Sequence, residues 1–181
     1  MNLPNKLTIS RIIFTFIGVT ILFFEQIPYS YLIAAGIFVF AVITDILDGY
    51  IARKHNMVTK LGTFLDPISD KLLFVLYFLF LQSMGLYPLW LLIVFVAREL
   101  IVDAVRSYAA SQNVFFGAVK SGKIKASLQA TSIIAGLLYL SPFIDIPYLG
   151  EFTFYTMIAA LIISLFGKST LMKDMFNLLK G

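Results

Sequence analysis

Long runs of apolar residues alternate with short polar punctuation along this chain. The runs cover roughly Thr8–Phe24, Ser30–Ala52, Leu61–Met84, Pro88–Ala110, Ile124–Leu140 and Phe152–Phe166. Each approaches the ~20 residues that a helix needs to cross the hydrocarbon of a bilayer. The first and last are short, and the fourth is interrupted by charge. The pattern predicts an all-α, polytopic membrane protein with six transmembrane helices, forming one domain over residues 1–181. The opening "MNLPNKLTISRIIFTFIGVTILFF" imitates a signal peptide, with Lys6 and Arg11 ahead of an apolar core. No small-residue cleavage site follows, so a retained span that begins with a short N-terminal amphipathic segment is expected.

Charge sorts the connecting segments into two kinds. One set holds Lys6 and Arg11, then Arg53, Lys54 and Lys60, then Lys120, Lys123 and Lys125, then Lys168, Lys173 and Lys180. The other set, "EQIPY", "MGLYP" and "SPFIDIPYLGE", has no lysine or arginine. This is the positive-inside asymmetry, and it predicts a multi-pass cell-membrane protein with both termini in the cytoplasm. Tyr29, Tyr31, Tyr87, Trp90 and Tyr148 near the outer ends suit an interfacial aromatic belt. At 60% hydrophobic and 13% charged residues the composition excludes an ordinary soluble domain. The chain has no cysteine, so disulfides and thiolate metal sites are excluded as well. No nucleic-acid partner is expected.

Four aspartates break the pattern. Asp45 and Asp48 end the second run, and Asp66 and Asp70 begin the third. The loop between them makes a hairpin, so all four carboxylates come to one depth on the cytoplasmic side. At about 100° per residue, Asp45, Asp48, Gly49, Ala52 and Arg53 fall within one arc. Gly62, Asp66 and Asp70 share a narrower one, although Pro67 removes a backbone donor nearby. Lys71 points away from Asp66 and Asp70. A single aspartate at a helix end is often merely interfacial. Four in register with two glycines and an arginine point to function, because ionisable residues at membrane depth are costly. Oxygen-only donors favour a hard ion, Mg²⁺ or Mn²⁺. Four carboxylates could hold two ions about 3.5–4 Å apart, the arrangement that clamps a phosphoryl group in transfer. His55, in the loop, reads as solvated rather than as a ligand.

The spacing D-x2-D-G-x2-A-R-x8-G-x3-D-x3-D is filled here by Asp45, Asp48, Gly49, Ala52, Arg53, Gly62, Asp66 and Asp70. It resembles the signature of the CDP-alcohol phosphotransferase family. The opening "NLPNKLTISR" and the later "AREL", "VR" and "GKIKA" resemble the members of that family that use glycerol 3-phosphate. The resemblance implies transfer of a phosphatidyl group from CDP-diacylglycerol to an alcohol, with release of CMP. It implies that Asp45, Asp48, Asp66 and Asp70 bind metal and that Asp70 is also the general base. It implies a CDP pocket from Gly49, Ala52, Arg53, Thr59 and Gly62, closed by Asn5, Thr8 and Arg11. A homodimer in membrane lipid is implied too. Helix capping is the plain alternative for Asn5 and Thr8, and interfacial anchoring for Arg11.

A second polar group interrupts the fourth run: Arg98, Glu99, Asp103 and Arg106. It reads in two ways. One is a ladder of ion pairs along a single helix. The other adds Lys123 and Lys125 to give a cationic surplus, in which Arg98, Arg106, Lys123 and Lys125 bind an acceptor's phosphate. Glycerol 3-phosphate is the acceptor expected on that reading. Inositol phosphate, serine or a lipid are the alternatives with the same chemistry. A divalent-cation transporter is a further alternative, but the outer halves of the runs are nearly free of charge.

Overall fold

The computed structural model describes residues 3–24, 26–54, 60–111 and 120–166. Among these the regular elements are six α-helices: α1 (Leu3–Leu22), α2 (Ser30–Lys54), α3 (Lys60–Ser83), α4 (Leu89–Ser111), α5 (Lys120–Leu140) and α6 (Leu149–Phe166). Each expected run lies in one helix. Helices of 18 to 25 residues rise roughly 27–38 Å, about the depth of a membrane core. α1, α2 and α6 each contain a stretch apolar enough to cross a membrane by length and composition. The other three are long enough but carry the charged residues of the polar clusters: Asp66, Asp70 and Lys71 in α3, Arg98 to Arg106 in α4, and lysines in α5.

One boundary differs from the sequence pattern: α1 runs unbroken from Leu3, and its first turns bury Asn5, Thr8 and Arg11 inside the bundle. α3 begins at Lys60, where the third run places it, and continues through Pro67. The missing amide costs one backbone bond, but flanking turns and tertiary packing hold the helix.

α1 packs on α2 and α3, α5 packs along α6, and α5 also meets α2 and α3. α4 closes the bundle against α3 and α6. Aromatic rings fill the centre: Phe38 meets Phe74 and Tyr77 edge-on at 5.8 and 5.0 Å, and Phe78 meets Tyr87 and Phe95 at 5.6 and 5.3 Å. Several buried hydroxyls find partners on neighbouring helices, as lipid depth favours. Tyr77 Oη donates to the Ala34 carbonyl at 3.1 Å. Ser132 Oγ donates to the Thr153 carbonyl at 2.6 Å. Its single proton is thereby used, so Tyr87 Oη is the donor in the 2.7 Å bond to Ser132 Oγ. Large apolar side chains cover the outside, among them Ile17, Phe40, Ile93, Ile101 and Ile162. Water penalises such a surface and hydrocarbon does not. The protein is a membrane protein.

Candidate active site

The aspartates lie where α2 ends and α3 begins, and α1 organises them. Asn5, Thr8, Arg11 and Thr15 form a polar stripe on a mostly apolar helix, and all four are buried. Thr8 Oγ1 donates to Asp66 Oδ1 at 2.7 Å. One turn on, a single nitrogen of Arg11 sits 2.6 Å from Asp45 Oδ1 and 2.7 Å from Asp70 Oδ1. Carboxylates from two helices thus meet at one guanidinium, supplied by a third. The Arg11 side chain is fully buried, whereas those of Asp45 and Asp70 are 39% and 46% exposed. The cation lies on the inner side of the group, and the carboxylates keep an open side. Gly62 is buried on the same stretch of α3.

The second cluster ties α3, α4, α5 and α6 together. Glu99 accepts from Arg98 at 2.7 Å through Oε1, and from Lys125 Nζ at 2.8 Å through both oxygens. Arg98 also donates to the Ser164 carbonyl near the end of α6 at 2.8 Å. Lys71 pairs with Asp103. The helical arithmetic that turned Lys71 away from Asp66 and Asp70 therefore holds. Among the described residues the charges of α4 find their partners mainly on other helices, so a ladder along α4 alone does not describe them. Two cations converge on one carboxylate at Glu99, and the surplus charge is positive. Asp70 and Lys71 are neighbours that face different clusters, so α3 carries both.

The family model for CDP-alcohol phosphatidyltransferase matches residues 1–166. The chain belongs to the CDP-alcohol phosphatidyltransferase family. It is therefore an enzyme, a transferase of phospholipid biosynthesis. Several curated relatives share one name. A CDP-diacylglycerol–glycerol-3-phosphate 3-phosphatidyltransferase of Bacillus subtilis is 39% identical over 153 residues, covering 78% of this chain and 79% of its own. One of Rickettsia bellii is 42% identical over 132 residues, covering 71% and 70%. A CMP-forming cardiolipin synthase of Oryza sativa is 39% identical over 124 residues, covering 62% of this chain and 37% of its own.

Against the phosphatidyltransferase signature, the structure gathers Asp45, Asp66 and Asp70 with Thr8 and Arg11, and brings Arg98 to Lys125. Lys123 is exposed at the start of α5. Asp48, Gly49, Ala52 and Arg53 lie in α2 and Arg106 in α4, but their side chains are outside the described residues. His55 and Thr59 lie wholly outside them. The chemistry of the donor set fits a hard divalent cation: the carboxylates are oxygen-only, Asp45 and Asp70 converge at Arg11, and both keep an open side. Among the described residues, though, no three acidic side chains form a ready ligand group.

Two roles were hard to read from the sequence. Arg11, which the resemblance linked to the nucleotide, meets carboxylates. Glu99, read as one rung of charge, is the hub of the second cluster. The buried stripe Asn5–Thr8–Arg11–Thr15 was a usable signal for the first, since polar residues at helical spacing in an apolar run mark an inward face.

Proposed function

We propose that the protein transfers the phosphatidyl group of CDP-diacylglycerol to sn-glycerol 3-phosphate, giving phosphatidylglycerophosphate and CMP. The observation that carries this reading is the convergence of Asp45 and Asp70 on Arg11, with Asp66 held by Thr8 one turn earlier on α1, in a membrane bundle whose family and named relatives share that chemistry. The acceptor hydroxyl attacks the phosphatidyl phosphorus, the bond to the bridging diphosphate oxygen breaks, and CMP departs with that oxygen. Asp70 takes the hydroxyl proton. Asp45, Asp48, Asp66 and Asp70 would hold Mg²⁺ or Mn²⁺, two ions on this reading. Bound there, the metal offsets the diphosphate charge and the charge growing on the leaving group. Gly49, Ala52, Arg53, Thr59 and Gly62, with Asn5 and Thr8, form the CDP pocket. No covalent enzyme intermediate is required.

Arg98, Arg106, Lys123 and Lys125 bind the acceptor's phosphate. The surplus of cation over carboxylate around Glu99 supports a phosphorylated acceptor. Six spans, cytoplasmic termini, a cytoplasmic site and a homodimer complete the reading. The kinship with a cardiolipin synthase favours one second reading, a lipid acceptor such as phosphatidylglycerol. The test is CMP release by the purified protein, supplied with CDP-diacylglycerol, Mg²⁺ and one acceptor at a time. Glycerol 3-phosphate should be turned over well ahead of phosphatidylglycerol, inositol phosphate and serine. Chelation by EDTA should abolish turnover, and added Mg²⁺ or Mn²⁺ should restore it. A preference for phosphatidylglycerol would reassign the acceptor, and full activity in EDTA would remove the metals.

A further inference from the structure

Arg11 is an unusual residue for its place. It is a fully buried cation in the third turn of an apolar helix. A guanidinium at that depth is tolerated when its charge is matched. One of its nitrogens meets both Asp45 Oδ1 and Asp70 Oδ1, at 2.6 and 2.7 Å. These carboxylates come from different helices and would repel each other if brought together unaided. Thr8, one turn earlier on the same helix, holds the third carboxylate, Asp66, at 2.7 Å. Asp45 and Asp70 are more than a third exposed on the side away from Arg11. The cation thus binds them from the interior, and their outer side stays open to a ligand.

We infer that Arg11 is the resident counter-ion of the aspartate site, a fixed positive charge that lets the carboxylates fold together before divalent cations bind. The inference rests on the metal reading of that site and goes beyond it, since it assigns Arg11 a positioning role toward the ligands. Arginine suits the task because it is always charged and carries several donors in a rigid plane. Folding and membrane insertion are then independent of metal supply. Without the guanidinium, Asp45 and Asp70 would lose the cation they share among the described residues, and bound cations would take over its stabilising role.

The test compares full-length protein in detergent at one pH, wild type against Arg11→Met and Arg11→Lys, with EDTA or with saturating Mg²⁺. Thermal unfolding and Mn²⁺ binding, followed by electron paramagnetic resonance, are the readouts. Wild type and Arg11→Lys should show a small rise in Tm on adding Mg²⁺. Arg11→Met should melt lower in EDTA and gain several degrees more than wild type from Mg²⁺. The double variant Arg11→Met/Asp45→Asn removes one charge of each sign and should regain stability in EDTA, even if Arg11→Met alone does not fold. A Tm lowered equally with and without Mg²⁺ would show a packing role and overturn the proposal. So would a double variant no more stable than Arg11→Met, or a raised KM for CDP-diacylglycerol with no metal-linked change in Tm. Absence of Mn²⁺ binding in wild type would remove the metal reading itself, and the proposal with it.

Discussion

At the scale of single residues, two glycines show how the same substitution has different costs. A methyl group added at Gly18 would overlap Tyr77 Oη and press on Ile37. Tyr77 cannot yield easily: its ring is fully buried, packed on Phe38, and its hydroxyl is bonded to the Ala34 carbonyl. Gly18→Ala should destabilise the protein by about 1–3 kcal/mol, as overpacking does. Thermal unfolding in detergent measures this, and adding Tyr77→Phe should recover part of the loss. At Gly136 the new methyl meets the terminal carbons of Leu81 and Leu86 at 2.9 to 3.2 Å. Those ends can rotate away, so Gly136→Ala should cost less than ~1 kcal/mol. In the site, Lys125→Ala removes a cation that pairs with Glu99 through both carboxylate oxygens. A charge-assisted contact is worth about 1.5–3 kcal/mol. The KM for glycerol 3-phosphate should therefore rise roughly ten- to a hundredfold, while that for CDP-diacylglycerol stays near its original value. An equal rise for both substrates would mean that Lys125 supports the fold and not the acceptor.

At the scale of elements, the helices are joined by a few buried polar bonds set in apolar packing. Tyr87 before α4, Ser132 in α5 and the Thr153 carbonyl in α6 form one chain of bonds. Ser132→Ala strands the Tyr87 hydroxyl in a dry interior, at a cost of about 1–3 kcal/mol, while the Thr153 carbonyl keeps its bond from Thr156 Oγ1. Tyr87→Phe also removes a bond. The double variant should cost less than the sum of the two, with a coupling of ~0.5 kcal/mol or more, because both changes break the same chain. Additive losses in equilibrium unfolding would show that the bonds act separately. Arg98 works similarly at the other end of α6, where it donates to the Ser164 carbonyl. A cation near a helix C-terminus offsets the negative end of the dipole.

At the scale of the whole molecule, the decisive question is how the bundle sits in the membrane. Side-chain contacts join the start of α1 to the end of α2 and the start of α3, and α3 through α4 and α5 to the end of α6, so these ends lie on one side of the bundle. The lysines and arginines of the loops lie on that side in the sequence. A reporter fused after Gly181 should register in the cytoplasm, and one inserted at Asp145 should register outside. Matching locations would refute six spans. A cytoplasmic signal after Gly181 would put the site within reach of soluble glycerol 3-phosphate, which a site on the outer face would lack.

The apolar runs alone were enough to read the helices and their order, because lipid depth permits few structures other than helices. The aspartate hairpin was legible too. Its residues are close in sequence, and helical periodicity determines which of them share a face. That Lys71 faces away from Asp66 and Asp70 came from the same arithmetic and matches its pairing with Asp103. Periodicity says nothing about which helix lies opposite a given face. Arg11 is separated from Asp70 by 59 positions, and Lys125 from Glu99 by 26. Only the packing of α1 against α2 and α3, and of α4 and α5 against α3 and α6, brings these charges together. The sequence by itself therefore determined the helices, the membrane and the carboxylates, through local geometry and solvent. The tertiary structure decided which cation each carboxylate meets, because that depends on distances between helices.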